Sequence, residues 1–109
     1  MVRYTVKSIS EDHLKVTLEG DLVLGPDASA VRDCLKPLAK KFRALTVDLA
    51  GLRRIDSAGV GVLVLAQATA DELGNSLRVV NAEGSVREVL LLVKLLPLLG
   101  GDTRQPVAV

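Results

Sequence analysis

The sequence IDSAGVGV, residues 55–62, lies between a strand-like run and a long run of small apolar residues. It places the hydroxyl of Ser57 where a helix is predicted to begin, with the carboxylate of Asp56 before it and Gly59 and Gly61 after it. Asp and Ser are both favoured N-caps, because their side chains accept hydrogen bonds from the free amides of a first helical turn. The stretch therefore predicts a change from strand to helix, with either residue as the cap.

The chain before this stretch predicts a hairpin, a helix and a strand. Residues 4–9 and 14–18 alternate apolar and polar side chains with period two, which indicates antiparallel strands, the second ending at Gly20 and Asp21. Asp27, after a Gly-Pro pair, is a plausible cap for an amphipathic helix over residues 28–42. A short strand over residues 44–49 and a loop over residues 50–56 are predicted to follow.

The chain after this stretch predicts two helices separated by a strand. Residues 57–73 are small or apolar on almost all sides and stop at Gly74, which predicts a buried helix. Residues 77–81 predict a fourth strand. A third helix is predicted from Glu83 to about Lys94.

The order of these elements predicts an α/β fold. We expect an open mixed sheet of about four strands, an N-terminal antiparallel hairpin plus parallel strands, flanked by about three to four helices. The length of 109 residues is about that of one domain. Residues 1–100 are expected to form it, and residues 101–109 to be a flexible tail.

Composition disfavours several classes of function. Only 2% of the residues are aromatic, and the 14 basic and 13 acidic side chains are dispersed, so direct nucleic-acid binding is not expected. The apolar run over residues 89–99 is interrupted by Lys94 and Pro97 and is shorter than the roughly 20 residues that cross a bilayer, so no membrane insertion is expected. The N-terminus lacks a signal-peptide pattern, which favours a cytoplasmic protein.

Metal and catalytic chemistry are also not expected. Cys34 and His13 are the only residues of their types, so a cysteine-based or histidine-based metal site lacks ligands. We expect Cys34 to be buried or half-buried and His13 to be exposed at a strand start. Ile55 stands where the nucleophile elbow of hydrolases has glycine, and His13 is distant in sequence, so we predict a protein with no catalytic residues and no cofactor.

Ser57 has two interpretations. It is a helix cap, or it is a phosphorylation site read by a partner. Glycine inside a helix costs about 0.5–1 kcal/mol relative to alanine, so Gly59 and Gly61 suggest that another chain approaches the backbone closely. Phosphate on Ser57 would be stabilised by the helix N-terminus and would make the surface beside Asp56 strongly acidic.

The pair Arg53 and Arg54 precedes this site. The two side chains either steer a nucleotide-bearing kinase or phosphorylated partner, or form an ordinary solvated surface.

The sequence VDLAG, residues 47–51, followed by IDSAGVGVL, residues 55–63, resembles the signature of the STAS domain found in bacterial anti-sigma factor antagonists. The similarity extends more weakly over residues 4–96. It implies a small open sheet flanked by helices that acts as a protein-binding switch. In such antagonists the unphosphorylated protein binds an anti-sigma factor that is also a serine kinase, and a phosphatase reverses the phosphorylation.

By position, the resemblance implies that Ser57 is the phosphoacceptor, that Asp56 lies beside it and that Asp48 supports the loop. ATP would be held by the partner kinase, so this chain would bind no cofactor. The residues implied in partner binding or support of the phosphosite are Asp21, Asp48, Arg53, Arg54, Asp56, Ala58, Gly59, Val60 and Gly61.

Two departures from the resemblance keep an alternative open. Val23 stands where many antagonists carry an aspartate, with Asp21 and Asp27 nearby. The leucine-rich residues 90–99 exceed the needs of one amphipathic helix. Most of these leucines either fill the core of a domain poor in aromatic residues, or serve in pairing of two copies or in docking on a transporter ATPase. STAS domains also serve as subunits of lipid-transport ABC systems, in stress-sensing assemblies and as tails of anion transporters. In those settings Ser57 would be only a cap.

Overall fold

The computed structural model describes residues 1–92, which form four strands and three helices. In chain order these are β1 (Val2–Ser10), β2 (His13–Leu22), α1 (Pro26–Lys41), β3 (Ala44–Ile55), α2 (Ser57–Glu72), β4 (Ser76–Val80) and α3 (Gly84–Leu92). The predicted tail over residues 101–109, the predicted end of the third helix near Lys94 and most of the leucine-rich run lie outside the described residues.

The four strands form one sheet in the order β1-β2-β3-β4. β1 pairs antiparallel with β2, whereas β2 with β3 and β3 with β4 are parallel. The predicted open mixed sheet is therefore confirmed.

One face of the sheet carries the core. Alternate strand residues point to that face and are almost completely buried: Leu14, Val16, Leu18, Leu45, Val47, Leu49, Leu77 and Val79. α1 and α2 pack against each other and contribute residues such as Val31, Leu35 and Leu63 to the same core cluster. Because leucine, valine and alanine supply nearly all of its volume, the core forms without tryptophan.

The strands β2 and β3 are longer than predicted. The predicted loop over residues 50–56 is wrong, because β3 continues to Ile55 and pairs with an equally extended β2, with Leu22 opposite Ile55. Register shifts after Thr17 and after Gly20 interrupt the alternation of side chains in this region. Irregularities of this kind conceal the period-two pattern that identifies a strand in the sequence.

The start of α1 also differs from the prediction. Gly25, with φ 125°, is the N-cap and Pro26 is the first helical residue, whereas Asp27 lies inside the first turn. Proline suits this place because its fixed φ matches a helix and its missing N–H would have no partner there. Asp27 therefore provides an acidic side chain near the positive end of α1, not a cap.

The predicted bounds of α2 are confirmed, but the helix is not buried on all sides. It runs from Ser57 to Glu72, and Gly74 follows it with φ 73°. Seven of its residues are buried, while Gly61, Leu65 and Ala68 are exposed. The uncharged outer side is therefore open to solvent in the described part of the chain.

Three smaller expectations have clear outcomes. Cys34 is half-buried as predicted, and burial raises the pKa of its thiol. The prediction that His13 is exposed is wrong, because the residue is half-buried with Nε2 2.8 Å from Thr46 Oγ1 on the neighbouring strand. No helix of the described residues is long and apolar enough to cross a membrane.

The junction of β2 with α2 generates a prediction about two neighbouring glycines. A Cβ on Gly59 would collide with the carbonyl oxygen of Leu22 and lie 2.7 Å from Ile55 Cγ1, whereas a Cβ on Gly61 would meet nothing within 4 Å. We expect Gly59→Ala to lower the free energy of unfolding by about 1–3 kcal/mol. Gly61→Ala should leave it unchanged or raise it by up to about 1 kcal/mol. Urea unfolding followed by far-UV circular dichroism measures both, and equal effects of the two substitutions would refute this account.

Candidate functional site

Asp56 is the N-cap of α2. Its Oδ1 accepts a hydrogen bond from the amide of Gly59 at 3.1 Å, and its carbonyl accepts from the amide of Val60 at 2.9 Å. The sequence left Asp56 and Ser57 as equal candidates for the cap. The structure assigns the role to Asp56 and makes Ser57 the first residue of the helix.

The second carboxylate oxygen of Asp56 holds the loop between β2 and α1. Its Oδ2 accepts from the amide of Leu24 at 2.9 Å. The hydrogen bonds from the amides of Leu24 and Gly59 outweigh the effect of burial and lower the pKa of Asp56 below its ordinary value. At neutral pH this side chain is therefore a carboxylate with both oxygens engaged.

Ser57 is exposed, and within residues 1–92 its hydroxyl has no hydrogen-bond partner. The cap function is already fulfilled by Asp56, so the hydroxyl of Ser57 is not needed to start α2. Amides of the first turn lie beside it at the positive end of the helix. This position suits an added anionic group.

The residues that follow Ser57 in the IDSAGVGV stretch differ in how far they are buried. Gly59 and Val60 are buried inside the fold, Ala58 is half-buried and Gly61 is exposed. Gly59 is required because the chain of β2 passes directly against it. Gly61 has no such internal contact.

Asp48 lies in the sheet and not beside Ser57. It is eight residues before Asp56 along the chain, a path of about 25 Å because β3 is extended up to Ile55. Its Oδ1 accepts from the amide of Ala50 at 2.9 Å and from Asn81 Nδ2 at 3.2 Å, and its Oδ2 lies 3.2 Å from Lys15 Nζ. The predicted grouping of Asp48 with the phosphosite is therefore not found. The residue instead ties together β2, β3 and the end of β4.

The pKa of Asp48 reflects opposing influences. Burial raises the pKa. The hydrogen bonds from Ala50, Asn81 and Lys15, together with the charge of Lys15, lower it by more than burial raises it, so the pKa of Asp48 is below its ordinary value. Asn81 adopts φ 60°, in the left-handed region, where it donates to Asp48. Lys15 and Asn81 were not identified from the sequence, because each is 33 residues away from Asp48 along the chain.

Arg53, Arg54 and Asp21 lie at the ends of β2 and β3 that lead to Asp56. Both arginines are exposed, Asp21 pairs in register with Arg54, and Asp21 Oδ1 is 3.7 Å from Arg53 Nε. Ser85 Oγ of α3 donates to the carbonyl of Arg53 at 3.0 Å. These three residues therefore lie on the strands that lead to Asp56, and their part in partner binding stays a prediction.

Leu24 is a residue of the site that the sequence did not reveal. Its side chain is 80% exposed although its amide is fixed by Asp56. Val23, which stands where an acidic residue was expected, precedes it and is half-buried. An exposed leucine in a loop gives no periodic signal, and only the bond to Asp56 places it at the start of α2.

The contacts of Asp48 predict a dependence of stability on pH. Because its folded-state pKa is lowered, its stabilising contribution is present above the unfolded pKa of about 3.9 and is lost as pH falls through the folded value. We expect Asp48→Asn to lower the free energy of unfolding at pH 7 by about 1–3 kcal/mol and to weaken its decrease below about pH 4. Asp33→Asn is the control, because Asp33 is exposed and pairs only with Arg32 at the surface. Urea unfolding at several pH values measures both, and identical pH profiles for the native chain and Asp48→Asn would contradict the assignment.

The chain is similar to known proteins in sequence and in fold. A family model described as "Mlab, STAS domain" matches residues 5–100. No curated protein matches the chain. The phosphorylated form of the Bacillus cell fate determinant SpoIIAA superposes with a TM-score of 0.72 at 16% identity, covering 93% of this chain and 92% of that one.

Two further solved structures show the same fold. An anti-sigma factor antagonist from Mycobacterium paratuberculosis has a TM-score of 0.69 at 24% identity, covering 87% of this chain and 80% of that one. A sulfate transporter family protein from Wolinella succinogenes has a TM-score of 0.72 at 16% identity, covering 86% and 76%. At these identities the structures establish the fold, and the family model, which spans most of the sequence, establishes the family. The chain belongs to the STAS domain family and resembles its anti-sigma factor antagonists.

Proposed function

We propose that this chain is an anti-sigma factor antagonist that works as a phosphorylation-controlled binding switch in the cytoplasm. With Ser57 unmodified it sequesters an anti-sigma factor that is also a serine kinase, and sigma-factor-dependent transcription proceeds. Phosphorylation of Ser57 by that kinase releases the complex. The chain itself is not an enzyme in this scheme.

The observation that carries the proposal is the exposed, unengaged hydroxyl of Ser57 at the first position of α2. A kinase has access to this oxygen without breaking a hydrogen bond that holds the fold. A phosphate there lies at the positive end of the helix, so the modified chain keeps its structure. The modification therefore changes the surface and not the fold.

The change in surface charge is large at this place. A phosphate adds about −1.5 to −2 charges close to Asp56, which is already ionised. The first turn of α2 contains no acidic residue of its own, so the phosphate adds to the single negative charge of Asp56 at the helix start. A hundredfold loss of affinity requires about 2.7 kcal/mol. Repulsion and desolvation of such a charge at an interface supply that amount.

Each partner has a defined part in the proposal. The kinase holds ATP and transfers its phosphoryl group, a phosphatase resets Ser57, and this chain supplies only the acceptor hydroxyl. Arg53 and Arg54 are exposed on the strand that leads to the site, where their charges favour approach of a nucleotide-bearing surface. Pairing of two copies through the leucine-rich end of α3, where Leu91 and Leu92 are exposed, stays a prediction.

A second candidate is a STAS subunit of a lipid-transport ABC system or a stress-signalling scaffold. Val23 favours it, since this residue replaces the aspartate that the antagonists carry near the phosphosite. STAS domains from transporters also share the fold of this chain. In this candidate Ser57 is never modified and the same surface serves permanent assembly.

Substitution of Ser57 distinguishes the two candidates. We expect Ser57→Asp to weaken binding to the cognate anti-sigma factor kinase at least about a hundredfold, because a carboxylate there imitates part of the phosphate charge. Ser57→Ala should bind as the native chain does and accept no phosphate. Isothermal titration calorimetry measures the affinities, and mass spectrometry after incubation with Mg-ATP detects the phosphate.

The matched control is Ser76→Asp, which places the same charge on an exposed serine at the start of β4, opposite Ala44 and thus at the far end of β3 from Ile55. Its affinity should equal that of the native chain. Equal affinity of Ser57→Asp and the native chain for the kinase, without phosphate transfer, would refute the switch and leave the assembly candidate.

A further inference from the structure

We infer that the outer edge of β1 binds an extended segment of a partner protein in which acidic and apolar residues alternate. The segment adds a further strand to the sheet beside β1. This binding goes beyond the proposed function and does not depend on it. β1 is the edge strand of the sheet, and β2 separates it from β3, the strand that leads to Ser57.

β1 has an edge that no other strand of the described chain uses. It contains nine residues, Val2–Ser10, and pairs only with β2. In an antiparallel pair, every second residue points its N–H and C=O away from the neighbouring strand. Residues 3–10 are all exposed within the described part of the chain. The outer edge of β1 therefore offers a row of hydrogen-bonding groups to an added strand.

The side of β1 that faces the helices is apolar and open. Tyr4 and Val6 pair with Leu18 and Val16, so they point to the same face of the sheet as the core. Leu18 and Val16 are completely buried, whereas Tyr4 is 47% and Val6 48% exposed. Within residues 1–92 the helices thus cover this face at β2 and leave it open at β1. Apolar side chains on an added strand would cover Tyr4 and Val6.

The opposite side of β1 is basic. Arg3 and Lys7 point to it, and the strand contains no acidic residue. Arg3 Nη2 lies 3.9 Å from Glu19 Oε2, but both side chains are largely exposed, so this ion pair holds the arginine only weakly. An external carboxylate can therefore compete for Arg3.

Lys7 is placed at a cost to the sheet. It stands directly opposite Lys15 of β2, and like charges in this position destabilise a strand pair. The charge of Lys15 is balanced by Asp48, whose Oδ2 lies 3.2 Å away, whereas Lys7 has no ion-pair partner within residues 1–92. A carboxylate on a strand beside β1 would lie next to Lys7 and balance its charge.

This distribution of charge selects the occupant of the edge. A second copy of β1 would bring another Arg3 and Lys7 to the first pair, which gives four cations and no anion. Residues 93–109 of the chain contain Lys94 and Arg104 but only one acidic residue, Asp102, so they lack the alternating acids that the edge requires. A foreign strand with acidic and apolar residues in alternation matches both sides of β1 at once.

The probe for this surface is a peptide as long as β1, with blocked ends, in which glutamate and valine alternate. We expect it to shift the amide resonances of β1 in NMR spectra of the full chain. It should bind at least about tenfold more tightly than a peptide in which lysine replaces glutamate, and several-fold more weakly at about 300 mM than at about 50 mM salt. A peptide with all its glutamates before all its valines should also bind at least about tenfold more weakly, because it lacks the two-sided alternation.

Charge reversal on β1 is the decisive test. The double variant Arg3→Glu, Lys7→Glu should bind the glutamate peptide at least about tenfold more weakly than the native chain and should gain affinity for the lysine peptide. Tyr4→Ser should weaken binding of the glutamate peptide about tenfold. The matched control is Arg32→Glu, Lys36→Glu, which makes the same change in net charge at exposed positions of α1. It should bind as the native chain does, and circular dichroism verifies that each variant is folded.

Three results would overturn the inference. In the first, the charge-reversed variant keeps its preference for the glutamate peptide, or the shifted resonances lie outside β1. In the other two, the N–H groups of β1 that point away from β2 are already protected from hydrogen exchange in the free chain. Light scattering then identifies the occupant as a second copy if the chain is a dimer, or as the chain itself if it is a monomer.

The Ser57→Asp variant separates this inference from the proposed function. It should bind the glutamate peptide as tightly as the native chain, because the two sites lie on different strands. If no kinase modifies Ser57 but the peptide binds β1 as described, the proposed function fails and the inference stands. If a kinase modifies Ser57 and the peptide does not bind, the inference is wrong and the proposed function stands.

Discussion

The carboxylate of Asp56 determines how the start of α2 is held against the rest of the fold. One oxygen accepts from the amide of Gly59 within the helix, and the other accepts from the amide of Leu24 in the preceding loop. These two bonds bring the end of β2 so close to α2 that a side chain at position 59 would strike the Leu22 carbonyl. Gly59 and Asp56 are therefore both needed for the close contact between β2 and α2. Ser57 lies between them and is exposed.

This arrangement separates structural and chemical tasks in adjacent residues. Asp56 satisfies the amides that a helix start leaves unpaired, so the neighbouring hydroxyl is available for modification. The lowered pKa of Asp56 also means that a phosphate on Ser57 is added beside a negative charge that cannot be relieved by protonation near neutral pH. In the proposed switch, a modification at this site therefore acts on a partner through charge while the hydrogen bonds that define the fold stay in place.

Periodic patterns in the sequence predicted most of the helices and strands. The parts that were not predicted depend on contacts between residues that are distant in the sequence. The hairpin, α2 and β4 have regular patterns and clear stops, such as the left-handed Gly74 after α2. The second halves of β2 and β3 were missed because register shifts break the alternation and because exposed residues such as Arg53 resemble a loop. The site was predicted in part: Ser57 and Asp56 were identified, but the remote position of Asp48 depends on strand geometry that short motifs do not contain.

The two glycines at the start of α2 differ in what the fold requires of them. In the sequence Gly59 and Gly61 carry the same cost and suggested the same explanation, but one faces the carbonyl of Leu22 and the other faces solvent. STAS structures from antagonists and from a transporter family protein share this fold with TM-scores of 0.69 to 0.72 at no more than 24% identity. In this chain Gly59 is required by the close packing of β2 against α2. Gly61 and Leu24 instead face outward near the start of α2, where the fold of this chain does not itself require a glycine or a leucine.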